Sequence, residues 1–146
     1  MCLIVDANVA SLVFASPPDP EFRPVLDRIM RGAACGQLVH GGQLTDEYAQ
    51  IKAVRRLVAR LDQAGRARQL KPSDVAAETS RLQDTGALQS NDAHILAIAR
   101  LGKVRLLCSR DQALHADFKN AAILDVPRGS VYQNASHAHL LDHYCP

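Results

Sequence analysis

The stretch Cys2-Leu-Ile-Val-Asp6-Ala-Asn8 indicates the fold of this 146-residue chain more clearly than any other part of it. Four apolar residues run without interruption, and an acidic residue follows them directly. A short apolar run of this kind is typical of a strand buried on both faces, as strands are in parallel sheets. A carboxylate at such a place loses hydration and needs a partner or a ligand to offset that cost. We therefore predict a buried first strand that ends at a functional acid, Asp6.

Further apolar runs predict three more strands, over residues 37–40, 104–108 and 121–126. Apolar residues at helical spacing predict helices over 8–14, 21–31, 44–61, 74–82, 92–101 and 112–118, with a weaker one over 136–141. Strands that alternate with helices predict an α/β fold in three layers, α/β/α, with a parallel, Rossmann-like central sheet. Because no linker interrupts the chain, residues 1–146 are predicted to form one domain.

The cysteines Cys2, Cys35, Cys108 and Cys145 show neither a CxxC pair nor the spacing of a zinc site. Cys2 and Cys108 lie in apolar runs, where a free cysteine behaves as a small hydrophobic residue. No signal peptide and no apolar stretch of about 20 residues, the length that a membrane span needs, is visible. We therefore expect a protein of the reducing cytoplasm with no membrane association.

Three further acids fall where the predicted elements begin or end. Asp111 closely follows the strand 104–108, Asp92 opens a helix, and Glu47 lies at the edge of the apolar stripe of the helix 44–61. In an open parallel sheet, ligands bind beyond the carboxyl ends of the strands. Asp6 and Asp111 are therefore expected to face one crevice if their strands are neighbours.

Each acid also has an ordinary structural explanation. Asp92 and Asp111 are equally explained as residues that cap a helix N-terminus. Glu47 is equally explained as a partly exposed helix residue, and Asp117 as a structural or solvated one. The combination of four acids at the ends of elements is more specific than any one of them.

The order and spacing of Asp6-Ala-Asn8, Glu47, Ser-Asn-Asp92-Ala and Leu-Cys-Ser109-Arg-Asp111 resemble the PIN-domain pattern over about residues 1–126. The resemblance is to the small bacterial and archaeal members, including VapC-type toxins. It implies a parallel sheet flanked by helices and an acidic metal site formed by Asp6, Glu47, Asp92 and Asp111. Asn8 and Ser109 match accessory polar positions of the pattern, and Asp117 matches an additional acid found in many members. The tail 127–146 departs from the pattern.

Carboxylate oxygens without cysteine or histidine partners suit Mg²⁺ or Mn²⁺. His94, two residues after Asp92, is expected to point away from it, and His115 is a weak candidate ligand. We expect Asp6, Asp92 and Asp111 to hold the ion, with Glu47 orienting the attacking water or binding a second ion. Asn8 and Ser109 would position waters or phosphate oxygens.

The expected activity is that of a metal-dependent endoribonuclease that hydrolyses RNA phosphodiester bonds. The formal net charge of +2 is too small to indicate a nucleic-acid partner by itself. A basic run that contains Arg55, Arg56, Arg60 and Arg66 is the expected source of contacts to the RNA backbone. A solvated helix face explains this run equally well. The resemblance also implies a homodimer and, for a toxin, a cognate antitoxin protein.

Other interpretations stay open at this stage. A processing nuclease without an antitoxin and a non-catalytic module that binds nucleic acid or docks a protein both fit the pattern. A haloacid-dehalogenase-type phosphatase is disfavoured because Asn8 stands where its second aspartate is required. A receiver domain is disfavoured because it requires an acidic pair before the phosphoacceptor strand and a late lysine after a strand, and neither is visible.

Overall fold

This computed structural model describes residues 2–31 and 37–146, so Cys35 lies outside the described residues. Its elements follow one another along the chain as β1 (Leu3–Val5), α1 (Ala7–Val13), α2 (Arg23–Arg31), β2 (Leu38–Gly41), α3 (Gly42–Ala49), α4 (Lys52–Gln63), β3 (Ala67–Leu70), α5 (Pro72–Asp84), α6 (Ala93–Gly102), β4 (Leu106–Cys108), α7 (Gln112–Phe118), β5 (Ser130–Tyr132), a 3-10 turn (Ala135–His137) and α8 (His139–Tyr144).

The five strands form one parallel sheet in the order β3-β2-β1-β4-β5, with helices packed against it. β1 lies at its centre and pairs in register with β4, Leu3 opposite Leu106 and Val5 opposite Cys108. Both strands are fully buried, which agrees with their continuous apolar sequences. The predicted α/β fold with a parallel central sheet is confirmed.

The predicted strand over 121–126 is wrong. These residues form turns, in which Ile123 and Leu124 are buried whereas Val126 is 93% exposed. A short apolar run can pack against a core from a turn as well as from a strand, and periodicity does not separate the two. The strand that pairs with β4 on the side away from β1 is β5, Ser130–Tyr132. The tail that departed from the PIN-domain pattern therefore contributes an edge strand to the sheet.

Strand β3 was absent from the sequence-based prediction, which had a loop there. Its sequence is Ala67-Arg-Gln-Leu70, and Arg68 and Gln69 are exposed. β3 lies at the edge of the sheet and pairs only with β2, so one side of the strand and much of its surface face solvent. Polar side chains are common on such edge strands, and they remove the apolar signal on which prediction relies.

The single helix predicted over 44–61 is two helices, α3 and α4, separated at Gln50 and Ile51. Ile51 has an extended backbone and is 38% exposed, although it falls on the apolar stripe of the sequence. The remaining buried positions of the stripe, among them Leu44 and Val58, face the core as predicted. The break follows Glu47 closely, so Glu47 lies on the last turn of a short helix.

A disulfide joins Cys2 to Cys145, whose Cα atoms are 5.3 Å apart, and Cys108 is a free buried thiol. The prediction that Cys2 is a free hydrophobic residue is therefore wrong, whereas the same prediction for Cys108 is confirmed. Sequence spacing could not reveal this pair because its members are 143 residues apart. Disulfides are rare in reducing compartments, so the cysteine pattern no longer supports the expected cytoplasmic location.

Within the described part of the chain, none of the helices combines the length and the apolar character that crossing a bilayer requires.

We predict that Cys145→Ser lowers the free energy of unfolding by about 2–4 kcal/mol, because the bond between the two ends restricts the unfolded chain. Urea denaturation under non-reducing conditions measures the loss. Reductant should bring the wild type to the level of this variant and should leave the variant unchanged. Cys108→Ala is the matched control and should keep its sensitivity to reductant; a wild type insensitive to reductant would contradict the bond.

Candidate active site

The pairing of β1 with β4 places two of the predicted acids at the same edge of the sheet. Asp6 directly follows β1, and its N–H donates a 2.9 Å hydrogen bond to the carbonyl of Cys108 at the end of β4. Asp111 lies three residues after Cys108. Because parallel strands end at a common edge, both carboxylates lie beyond the carboxyl ends of the two central strands, as the sequence predicted.

Ser109 connects these two acids. Its buried hydroxyl donates a 2.8 Å hydrogen bond to Oδ2 of Asp6 and accepts a 3.1 Å hydrogen bond from the N–H of Asp111. The sequence predicted that Ser109 would position water or phosphate. In the structure its hydroxyl orients Asp6 and shapes the loop that carries Asp111.

Asp6 is the most buried of the four acids, with 5% of its surface exposed. Burial raises the pKa of its carboxyl, and the hydrogen bond from Ser109 and the N–H of Asn8 act in the opposite direction. The side chain of Asn8 is exposed on the first turn of α1, at the same edge of the sheet. Asp6 is therefore a buried carboxyl group whose hydrogen bonds offset only part of the cost of burying its charge.

Asp92 stands immediately before α6, where a capping residue is expected, but its side chain makes no capping hydrogen bond. The pKa of Asp92 is raised to about 6, first by burial, then by the charge of Asp6, a hydrogen bond with Asp111 and the charges of Asp111 and Glu47, in that order of size. Like charges that crowd a carboxylate favour its protonated form. The structure thus brings all four acids within electrostatic reach of one another.

Asp111 combines both of the roles that its sequence position allowed. Its Oδ1 accepts a 3.1 Å hydrogen bond from the N–H of Leu114 and so caps α7. The same carboxyl lies in hydrogen-bonding contact with Asp92. Helix capping therefore explains Asp111 in part, whereas it does not explain Asp92.

Glu47 reaches the cluster from α3. The buried Tyr48, the next residue, donates a hydrogen bond to the carbonyl of Val5 and thereby ties α3 to the strand that ends at Asp6. Oε1 of Glu47 lies 2.8 Å from Nε2 of His94, on the first turn of α6. The angles at this contact are too poor for a hydrogen bond, so both buried atoms lack one. It is a close contact between a carboxylate and an imidazole.

The position of His94 corrects the sequence-based expectation that it points away from the acids. A helix places residues i and i+2 on different faces, which is why His94 was expected to diverge from Asp92. Asp92, however, precedes the helix and has a non-helical backbone, so this spacing does not apply. His94 and Glu47 meet across α6 and α3, and the nearby imidazole also acts to lower the pKa of Asp6.

Asp117 is buried and lies apart from this arrangement. Its carboxylate oxygens accept hydrogen bonds from the N–H groups of Gln89, at 2.9 and 3.1 Å, and Ser90, at 2.8 Å. Ser90 precedes Asp92 by two residues. Asp117 therefore holds the loop that leads into Asp92, and its carboxylate oxygens are already occupied.

His115 also holds a loop of the site. Its Nε2 lies 2.7 Å from the carbonyl oxygen of Ser109, to which it donates a hydrogen bond as a neutral ring. Burial lowers the pKa of His115, which favours that neutral form. The ring thus fixes the segment between β4 and Asp111.

The basic run does not form one surface beside the acids. Arg55 donates a 3.3 Å hydrogen bond to the carbonyl of Ala49 at the end of α3, while Arg56 and Arg60 border a groove next to α1 and α2. Arg66 directly precedes β3 and lies at the amino edge of the sheet, opposite the acids. The sequence-based prediction overlooked Arg110, an exposed cation beside Asp111 whose guanidinium lies 4.9 Å from the ring centre of Phe22.

None of the four acids forms an ion pair with arginine or lysine among the described residues. Over residues 2–31 and 37–146, no three His, Cys, Asp or Glu side chains are grouped closely enough to hold a metal ion directly as they stand. Among the described residues, the site is therefore a cluster of acids without an arginine or lysine partner, and its one close basic side chain is the imidazole of His94.

Neither protein-family models nor a comparison with curated protein sequences gives a match to this chain. Among solved structures, it is similar to a chain from the crystal structure of VapBC2 from Rickettsia felis bound to a DNA fragment from their promoter. The identity is 13% and the TM-score 0.43, over 90% of this chain and 97% of that one. An identity and a TM-score this low establish no family and no function for this chain.

We predict that Asp117→Ala lowers the free energy of unfolding by about 1.5–3 kcal/mol, because the partly buried N–H groups of Gln89 and Ser90 lose a charged acceptor. Asp117→Asn keeps one acceptor oxygen and should lose less. Urea denaturation measures both variants, and isothermal titration with Mn²⁺ should give affinities close to that of the wild type. Reduced Mn²⁺ affinity at unchanged stability would show that Asp117 is a ligand after all.

We predict that Asp92→Asn stabilises the protein in EDTA at neutral pH. The carboxyl of Asp92 has a pKa of about 6 in the folded state, above its ordinary value of 3.8, so the folded state binds the proton more tightly. Protonation of Asp92 stabilises the folded state fully below about pH 4, and this stabilisation is lost as the pH rises through about 6. The melting temperature of the variant should therefore exceed that of the wild type increasingly over this range. Asp84→Asn, at an exposed site, should follow the wild type; an Asp92→Asn variant that also follows it would disprove the assignment.

Proposed function

We propose that this chain is a divalent-metal-dependent ribonuclease with a PIN-like fold. One observation carries the proposal: Asp6, Glu47, Asp92 and Asp111 converge at the carboxyl edge of the parallel sheet with no arginine or lysine paired to them among the described residues. Keeping like charges together costs free energy that structural acids avoid by pairing with cations. A bound divalent cation would offset that cost.

The donor chemistry of the cluster fits a hard cation such as Mg²⁺ or Mn²⁺. All four acids offer carboxylate oxygens, and Oε1 of Glu47 is buried without a hydrogen bond. Mg²⁺ commonly binds through one or two carboxylates and keeps several waters, so it does not require three side chains in direct contact. This agrees with a cluster in which the acids are close but not gathered around one point. Asp6, Asp92 and Asp111 would hold the ion, partly through water.

When bound, the ion would supply charge neutralisation at the scissile phosphate and at the leaving oxygen. The protein's own groups prepare the site for it. Ser109 fixes the orientation of Asp6, the N-terminus of α7 fixes that of Asp111, and Asp117 holds the loop before Asp92. Glu47, which is 35% exposed, is the acid best placed to orient a water or accept its proton.

RNA is the substrate that the sequence pattern supports, and the structure offers a cation for its backbone. Arg110 is exposed beside Asp111 and is held by its contact with Phe22, so its guanidinium can bind a phosphate at the rim of the site. Arg55 is a second candidate because its helix begins soon after the one that carries Glu47. Arg66 lies at the opposite edge of the sheet and is not proposed as a contact of the cleaved phosphate.

A toxin of a toxin–antitoxin pair is the biological role that we propose, on the basis of the sequence pattern. A cognate antitoxin that blocks the acidic site and a homodimeric assembly belong to the same proposal. So does a cytoplasmic location, which rests on the sequence pattern alone because the Cys2–Cys145 disulfide does not support it. A processing nuclease would share the chemistry without the antitoxin. Growth arrest on expression, relieved by the product of a neighbouring gene, would distinguish the first role from the second.

Replacement of Asp6 or Asp92 by asparagine tests the catalytic assignment. Cleavage of a labelled RNA should fall by more than about 100-fold in each variant, since even the outer-shell partners of metal ligands contribute about 10–100-fold. Asp84→Asn, an exposed substitution, should cleave as the wild type does. Circular dichroism and thermal unfolding of the same preparations verify that each variant is folded.

Metal removal gives the second part of the test. EDTA should abolish cleavage by the wild type, and added Mg²⁺ or Mn²⁺ should restore it. A non-catalytic module would show neither cleavage nor saturable binding of Mn²⁺. Full cleavage in EDTA, or wild-type activity in folded Asp6→Asn, would refute the proposal.

A further inference from the structure

The contact between His94 and Glu47 joins the two helices that bring their acids to the site from outside the β1–β4 pair. Glu47 lies on the last turn of α3. His94 lies on the first turn of α6, two residues after Asp92. Nε2 of His94 is 2.8 Å from Oε1 of Glu47. The ring therefore fixes where the Glu47 side chain can go.

His94 has little freedom of its own. Its side chain is 4% exposed, and α6 is buried from Ala93 to Ala99. Among the described residues Nε2 has no hydrogen-bond partner, and the polar group that it faces is the Glu47 carboxylate. A buried polar atom without a hydrogen bond costs free energy, so the approach of Glu47 partly offsets a cost that exists without it.

His94 also borders a cavity of about 280 Å³ between the beginning of α3 and α5, with Gly42, Val75 and Thr79 among its other lining residues. The ring therefore contacts Glu47 and lines this cavity as well. A side chain that cannot hold the carboxylate would leave Glu47 free to turn and would alter the water around it. Packing alone does not require a polar residue at this position, because the rest of this face of α6 is apolar.

From this geometry we infer that His94 is a positioning residue for Glu47. It holds Oε1 of Glu47 toward Asp6 and Asp92 and acts on the reaction only through that carboxylate. The inference rests on the proposed ribonuclease function, and it adds a residue to which the sequence pattern gave no role.

Three substitutions separate positioning from packing. His94→Leu fills the site without a polar atom, His94→Gln places an amide N–H near the location of Nε2, and His94→Asn places one near that of Nδ1. With Leu, kcat for RNA cleavage should fall by about 10–100-fold, the range for groups that orient a functional residue, while KM changes little. Gln should recover most of the loss and Asn should not.

Thermal unfolding of the three variants gives the control for stability. A purely structural histidine would make kcat follow the melting temperature and would give Gln no advantage over Asn. That result, or wild-type kcat in folded His94→Leu, would overturn the inference.

A readout without catalysis uses the carboxyl carbons of the glutamates, of which the chain has Glu21, Glu47 and Glu78. In protein labelled with [¹³C]glutamate, Glu47→Gln assigns the resonance of Glu47. His94→Leu should move that resonance and leave those of Glu21 and Glu78 in place, and His94→Gln should move it less. An unmoved Glu47 resonance in His94→Leu would overturn the inference even if the wild type cleaves RNA.

The two proposals therefore fail in different ways. A wild type that cleaves no RNA would refute the proposed function, and the spectra would still decide whether His94 holds Glu47. A wild type that cleaves RNA in a metal-dependent way, combined with unchanged kcat in His94→Leu, would refute only the positioning role.

Discussion

The parallel pairing of β1 with β4 is the constraint on which the rest of the site depends. Asp6, the residue after β1, donates a hydrogen bond from its N–H to the carbonyl of Cys108, the last residue of β4. Two acids that are 105 residues apart in sequence, Asp6 and Asp111, are thereby placed at one edge of the sheet. The helices α3 and α6, which pack against each other, then add Glu47 and Asp92. A carboxylate placed there is dehydrated by the core below it and repelled by its neighbours, and this combination raises the pKa of Asp92 to about 6.

Sequence reasoning was most accurate where burial is complete. β1 and β4 are continuous apolar runs because both of their faces pack against helices, so their identification followed from composition alone. At the edges of the sheet this reasoning failed. β3 was missed because its exposed side chains are polar, and the fifth strand was assigned to 121–126 because a buried turn can be as apolar as a strand. The disulfide between Cys2 and Cys145 could not be read from spacing, since it depends on where the two ends of the fold meet.

The four acids of the site could be identified from the sequence, whereas the groups that orient them could not. An acid that follows a buried strand or opens a buried helix is conspicuous, because the pattern around it is apolar. The sequence around Ser109, Asp117 and His94 does not distinguish these residues in that way, and their roles arise from contacts between distant elements. His94 was wrongly expected to point away from the acids, because helical spacing was applied from Asp92, which lies outside the helix. Burial of a polar side chain in an otherwise apolar segment was the available signal, and a lone buried histidine is too common for that signal to be decisive.

The kind of partner that each acid has bears directly on what the site can bind. Ser109 gives Asp6 a neutral donor, and the N-terminus of α7 gives Asp111 another. Such partners fix the direction of a carboxylate without cancelling its charge, whereas an arginine at the same place would do both. Positive charge stands nearby, on the exposed Arg110, but its guanidinium contacts the ring of Phe22 and forms no ion pair with the described acids. The negative charge of the cluster is therefore oriented and left available, which is the condition that a cation site must meet before the cation arrives. Among the described partners, His94 differs from these neutral donors because its imidazole can carry a positive charge. It contacts Glu47, the acid that is proposed to orient water and not to hold the principal ion.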